Sequence, residues 1–275
     1  MRADPAPPVR DHLAVLAGLP GVADAVDEAR TAVDGLLGHR VMRRAAVEVA
    51  TESALRGARA TAALEGAGWT LSAVRAFEAA DGLPGTEVVH GALRVTTQAP
   101  SLARTVDRAP LHALARLHLL AAADLQDEDS CGRPRGGGTV PDDPLGLGPA
   151  PDGDSVAVRL DALAELLTRP TDAPALVVAA VVHGEVLALR PFATGNGLVA
   201  RAAERLVLHA RGLDTRAVCA PETGHAEAGP GYGDALRGYL SGTPAGVAGW
   251  VRHCARAVRL GARDGLAVCE AMRRG

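Results

Sequence analysis

The 275-residue chain contains no lysine and no isoleucine, and it has a single asparagine, Asn196. These are the residue types that A/T-rich codons encode, so their scarcity points to a gene biased toward G and C, as in high-GC bacteria. Phenylalanine, tyrosine and tryptophan occur twice each, and aromatics make up only 2 % of the chain. Hydrophobic residues still make up 48 %, so the core has to be built from Leu, Val and Ala. Side chains of that size favour closely packed helices. With lysine absent, the basic side chains are arginines, interleaved with acids to a net charge of −3, which gives no global pull toward nucleic acid. The four cysteines, Cys131, Cys219, Cys254 and Cys269, show neither metal-ligand spacing nor a disulfide framework. No apolar run reaches the ~18 residues of a membrane span. The longest, 175–189, is interrupted by His183 and Glu185. The N-terminal "MRADPAPPVRDHLAVLAGLPG" lacks the apolar centre of a signal peptide. These absences together lead to the expectation of a cytoplasmic protein with neither a membrane nor a nucleic-acid partner.

Apolar residues at three- and four-residue steps predict helices over 22–38 and 41–66, the second closed by Gly66. A shorter helix, "TLSAVRAFEAA", follows with Thr70 as its N-cap. Residues 81–100, with Gly, Pro and β-branched side chains, read as loop with a short extended piece. Helix resumes near 101 and is broken at Pro110. Residues 127–154 are dense in Gly, Pro and Asp and form a long surface loop, in which "RPRGGG" (133–138) reads as a solvated basic spot. Further helices are expected at 156–168, 174–188, 196–211, 232–241 and 244–273. The reading is all-α. It divides the chain into a loose N-terminal arm (1–20), an N-terminal helical region (21–100) and a core (101–275).

The stretch "RPFATGNGLVAR" (190–201) holds the lone asparagine between two glycines. Pro191 stops the preceding helix, and Gly195 and Gly197 allow backbone conformations open to a closely approaching ligand. A Gly-Asn-Gly turn that feeds a helix N-terminus points N–H groups outward with the positive end of the dipole behind them, which is anion-binding geometry. Arg201 lies near enough to pair with such an anion. The stretch resembles the signature of Fic (Fido-domain) proteins, H-P-F-x-[DE]-G-N-G-R-x-x-R, with Pro191, Phe192, Gly195, Asn196, Gly197 and Arg201 in register. "AAVVHGEVLALRPF" resembles the family's preceding helix, "AGVAGWVRHCARAV" its C-terminal helix with Trp250, and "TAALEG" (61–66) its inhibitory [ST]-x-x-x-E-[GN] motif. The resemblance spans roughly 50–260. It implies an all-α Fic-like fold with an N-terminal helical extension, in which 51–66 is an inhibitory helix carrying Glu65.

What the resemblance further implies is transfer of AMP from ATP to a protein hydroxyl. The motif's His serves as base, its acid binds Mg²⁺, the GNG turn cradles phosphates, and the last Arg holds the γ-phosphate. The inhibitory Glu pairs with that Arg. This sequence departs at three positions. Arg190 stands at the base position, and a guanidinium cannot accept a proton at neutral pH. Thr194 replaces the metal-binding acid, which weakens the case for Mg²⁺. Leu198 replaces a phosphate-binding Arg.

The expected site is therefore a metal-free anion site for ATP, another nucleotide or a phosphate ligand, made by Arg190, Thr194, Gly195, Asn196, Gly197 and Arg201 and guarded by Glu65. Arg190 is alternatively a simple cation at a helix C-terminus, and Glu65 a solvated helix-end carboxylate. The expected function is a degenerate Fic-domain protein, a pseudoenzyme, that binds such a ligand without efficient AMP transfer and acts through a protein partner. The alternatives are an active transferase with altered chemistry and a ligand-free helical scaffold. His183, about 10 Å along the helix axis from Arg190, reads as a packing histidine, and His112 and His118 are spaced too poorly for a metal site. The long loop lacks the alternating pattern of the family's target-docking β-hairpin.

Overall fold

A helix that is apolar on every side has to lie at the centre of its fold, and the run at 175–189 does. The computed structural model describes residues 11–76 and 82–274, and all their regular elements are helical. The α-helices are α1 (His12–Ala17), α2 (Val22–Leu37), α3 (Ala46–Leu64), α4 (Leu71–Arg75), α5 (Thr86–Gln98), α6 (Ala103–Val106) and α7 (Pro110–Ala122). After a long loop come α8 (Gly153–Thr168), α9 (Ala175–Leu189), α10 (Asn196–Ala210), α11 (Pro221–Glu227), α12 (Pro230–Leu240) and α13 (Pro244–Arg274). The all-α expectation holds.

The buried pair α9 and α10, joined by the turn at 190–195, forms the centre. The long α13 packs along α2, α11, α12 and α9, while α3 packs on α5, α11 and α10. Trp250 ties α13 to α9 by donating its indole N–H to the Ala180 carbonyl at 2.7 Å. The core is Leu, Val and Ala, as the composition requires. Small residues bring its helices very close: a Cβ on Gly91 of α5 would lie 2.1 Å from the Ala121 carbonyl oxygen of α7. The four cysteines are free and buried. No helix among the described residues is long and apolar enough to cross a membrane.

Several expectations are corrected. Most of the stretch expected as loop is helical, because Thr86–Gln98 form α5. Val89, Ala92 and Val95 recur at three-residue steps and are fully buried, and α5 packs on α3 and α7. That packing outweighs the modest helix penalty of β-branched residues. Within the supposed loose arm, His12–Ala17 are helical, with the Asp11 carboxylate accepting the Ala14 N–H and Leu13 buried. Residues 1–10 and the end of the "TLSAVRAFEAA" helix, 77–80, lie outside the described residues. Its beginning is as expected, with Thr70 accepting the Ala73 N–H. The short α11 was not anticipated. Gly66 does follow the end of α3, with φ 92°.

Candidate functional site

The chain leaves α9 through Arg190, which takes a left-handed conformation (φ 43°) and donates its backbone N–H to Val186 O at 2.9 Å. Pro191 prevents continuation of the helix, and the chain turns under its own bracing. Asn196 accepts the Phe192 N–H at Oδ1 (3.0 Å) and donates from Nδ2 to Phe192 O (2.9 Å) and Asp142 Oδ1 (3.3 Å). Gly195, at φ 71°, starts α10. Below the turn, the His118 ring stacks on Phe192 with centroids 3.8 Å apart. Gly132 N–H donates to His118 Nδ1 (2.8 Å), so the proton sits on Nε2, 3.2 Å from Thr194 O.

Burial pulls His118 down to about 4, so its ring is neutral at physiological pH. The ordinary value is 6.5, so between the two the unfolded chain binds a proton that the folded chain refuses. The stability contributed here is complete above the unfolded value and is lost as pH falls toward the folded one. His118→Gln is expected to shrink the difference in unfolding free energy between about pH 7 and about pH 4.5, by up to roughly 3 kcal/mol. Urea melts at the two pH values check it.

The long loop is pinned onto this turn. The Asp142 carboxylate accepts from Thr194 Oγ1 (2.8 Å) and the Gly195 N–H (3.0 Å), and Asp142 N–H donates to Ala193 O (3.0 Å). The supposedly solvated "RPRGGG" spot is corrected at Arg135. That side chain is buried and donates to Arg190 O (2.8 Å), Leu189 O (3.3 Å), Thr139 O (3.3 Å) and Pro151 O. It covers the carbonyl end of α9, where a cation is favoured. Arg190 points its own side chain into the same loop. Its guanidinium lies 3.2 Å from Asp143 Oδ2 and donates to Gly148 O at 2.7 Å, while its Nε is buried without a partner. Thr194, Gly195 and Arg190 are thus all engaged by loop residues.

Arg201 has a different set of partners. It is 1 % exposed and donates from Nε to Thr61 Oγ1 (2.5 Å), from Nη1 to Tyr232 Oη (3.3 Å) and from Nη2 to Glu65 Oε1 (2.5 Å). The structure therefore joins Arg201 to Glu65 and to Gly197, but not to Arg190, which shares none of these partners. Glu65 does not lie in solvent. A Cβ on Gly197 would come within 1.9 Å of Glu65 Oε1, so only glycine admits the carboxylate there. Glu65 caps the end of α3 and rests against the first turn of α10, where unpaired N–H groups and the dipole favour an anion. Burial works against the Arg201 charge, and Tyr232 and Glu65 outweigh it, raising the guanidinium further above its usual value.

Sequence reasoning missed most of these partners. His118, Asp142, Asp143 and Tyr232 come from segments far from 190–201, and no spacing signals them; Thr61 opens the "TAALEG" motif, but its bond to Arg201 was not foreseen. A hollow of about 490 Å³ lined by Leu13, Leu16, Val181, Ala188 and Tyr239 contains none of the turn residues.

No family model matches the sequence, and no curated protein does. Solved structures do match. A Fic family protein from Desulfovibrio desulfuricans superposes with a TM-score of 0.74 at 23 % identity, over 90 % of this chain and 75 % of that one. A fragment of Fic-1 from C. elegans gives 0.70 at 17 %, over 91 % and 73 %. A glutamate-to-glycine variant of that fragment gives 0.68 at 17 %, with the same coverage. The chain has the fold of Fic proteins.

Proposed function

We propose that this Fic-fold chain binds a phosphate-bearing ligand, a nucleotide such as ATP or a simpler phosphate, at the N-terminus of α10. It does so without efficient AMP transfer, and it acts through a protein partner that senses or sets whether Glu65 is in place. One observation carries the reading: a carboxylate of the chain itself already sits against Gly197 and on Arg201. A place that holds a carboxylate by a guanidinium and a helix N-terminus suits a phosphate by the same forces. Glu65 is the competitor that a ligand displaces, and its position at the end of α3 lets it leave with little rearrangement of the core.

The chemistry of transfer has poor support from these residues. Arg190 cannot act as a base, and its guanidinium is committed to Asp143 and Gly148. Both His118 nitrogens are engaged by backbone groups. Thr194 spends its hydroxyl on Asp142, so Mg²⁺ is not expected to be required.

Calorimetric titration of ATP, ADP and inorganic phosphate, with EDTA and with Mg²⁺, tests the proposal. Weak heat from the native chain and micromolar binding to the Glu65→Gly variant, undiminished by EDTA, is the expected result. No heat from Glu65→Gly with any of the three would overturn it and leave the ligand-free scaffold.

A further inference from the structure

A second buried polar cluster meets the Arg201 site at Tyr232, whose hydroxyl lies within hydrogen-bond distance of both Arg201 Nη1 and His183 Nε2. His183 of α9, Glu204 of α10 and His225 of α11 are each no more than 1 % exposed. Their Nδ1, carboxylate oxygen and Nε2 lie within 4.8 Å of one another. Glu204 Oε2 is 2.7 Å from His225 Nε2 and 2.9 Å from His183 Nδ1.

Hydrogen bonding accounts for only part of this. Both imidazoles pair with Glu204 Oε2, His225 through an aligned hydrogen bond and His183 Nδ1 by a close approach that is poorly aligned for one, while Glu204 Oε1 is buried without an aligned hydrogen-bond partner. A buried polar atom left unsatisfied costs about 1–3 kcal/mol, so Glu204 Oε1, beside a misaligned imidazole, has room for a further occupant.

The outer nitrogens of both rings are braced. His183 Nε2 is 2.7 Å from Tyr232 Oη, and His225 Nδ1 is 3.0 Å from His253 Nε2. That is how metal-ligating imidazoles are usually oriented, by a hydrogen bond on the nitrogen that does not ligate.

We propose that His183 Nδ1, Glu204 and His225 Nε2 form a buried site for one zinc-class dication that ties α9, α10 and α11 together. Two imidazoles and one carboxylate form a set that suits Zn²⁺ or Co²⁺, whereas Mg²⁺ and Ca²⁺ prefer oxygen ligands. The neighbouring Arg201 charge is already matched by Glu65. Lying in the core, the site fills as the chain folds. The proposal stands independently of phosphate binding at α10.

The full chain is expressed with added Zn²⁺ and, separately, with Co²⁺, then dialysed without chelator and analysed for metal. Stoichiometric metal is expected, with the strong visible bands of tetrahedral Co²⁺ in the second preparation. Glu204→Gln and His225→Gln are expected to reduce occupancy about tenfold or more. Should these variants not fold, the native chain still decides. Unfolded with chelator and refolded with and without Zn²⁺, it is expected to melt higher with the metal. Substoichiometric metal in both preparations and identical melting after both refoldings would overturn the proposal, leaving a carboxylate that shares protons and water with its imidazoles.

Discussion

Arg201→Ala is expected to lower stability by about 3–5 kcal/mol, the usual cost of breaking a buried ion pair, and phosphate should not restore it. The guanidinium links three helices at once: Thr61 and Glu65 at the end of α3, Tyr232 of α12, and its own α10. Without it, Thr61 and Tyr232 lose their donor and the Glu65 carboxylate is left against the α10 turn with no counter-charge. Glu65→Ala removes the other half of the pair and has a different consequence. The buried guanidinium keeps Thr61 and Tyr232 but has lost its anion, so this variant too is destabilised, now with a vacancy shaped for an anion. Phosphate at about a hundred times its dissociation constant should return about 2.7 kcal/mol. Urea melts of both variants with and without phosphate separate the cases. Phosphate also stabilises proteins nonspecifically by exclusion from their surface, and Arg201→Ala serves as the control for that. Equal shifts in the two variants would mean that the vacancy takes up no anion.

The backbone course of this site was legible in the sequence, but the direction of its charges was not. Pro191, the glycines around Asn196 and the periodic runs on either side place the ends of α9 and α10 within a residue or so of where they lie. Those signals are local: a proline removes one backbone bond, and a glycine permits one conformation. The pairing of Glu65 with Arg201 spans 136 positions and was available only through a resemblance of motifs. Arg190 shows the limit most clearly. Its charge and its place at a helix end were plain, but its side chain turns to Asp143 and Gly148 because the long loop folds back over it. Nothing periodic in 127–154 announces that. The same holds for Glu204, His225 and Tyr232, which read as ordinary helix residues and meet only when α10, α11 and α12 pack together. α5 was missed for the opposite reason. Its Gly and β-branched residues weigh against helix locally, and only its burial between α3 and α7 overrules them.

Asn196→Asp is expected to cost more stability than Asn196→Ala at neutral pH, and to recover as the medium is acidified. The turn needs one short, uncharged side chain that accepts from the Phe192 N–H and donates to Phe192 O and Asp142 at the same time. In a chain otherwise without asparagine, that double demand explains why one is kept here. Serine is too small to make both bonds, and glutamine is a methylene too long. Alanine leaves the Phe192 N–H and carbonyl unpaired in a buried turn, a loss of about 2–6 kcal/mol from groups worth roughly 1–3 kcal/mol each. Aspartate preserves the acceptor but turns the donor into a second anion facing Phe192 O and the Asp142 carboxylate. Burial and that like charge raise the introduced carboxyl's pKa in the folded state above its unfolded value. The folded state then binds the extra proton, so stability falls as pH rises through the interval between the two values and returns as pH is lowered. Denaturant melts from about pH 7 down to about pH 5 should show the gap to the native chain narrowing for Asn196→Asp and staying constant for Asn196→Ala. A gap equally independent of pH in both would mean that Asp142 does not face this side chain as an anion.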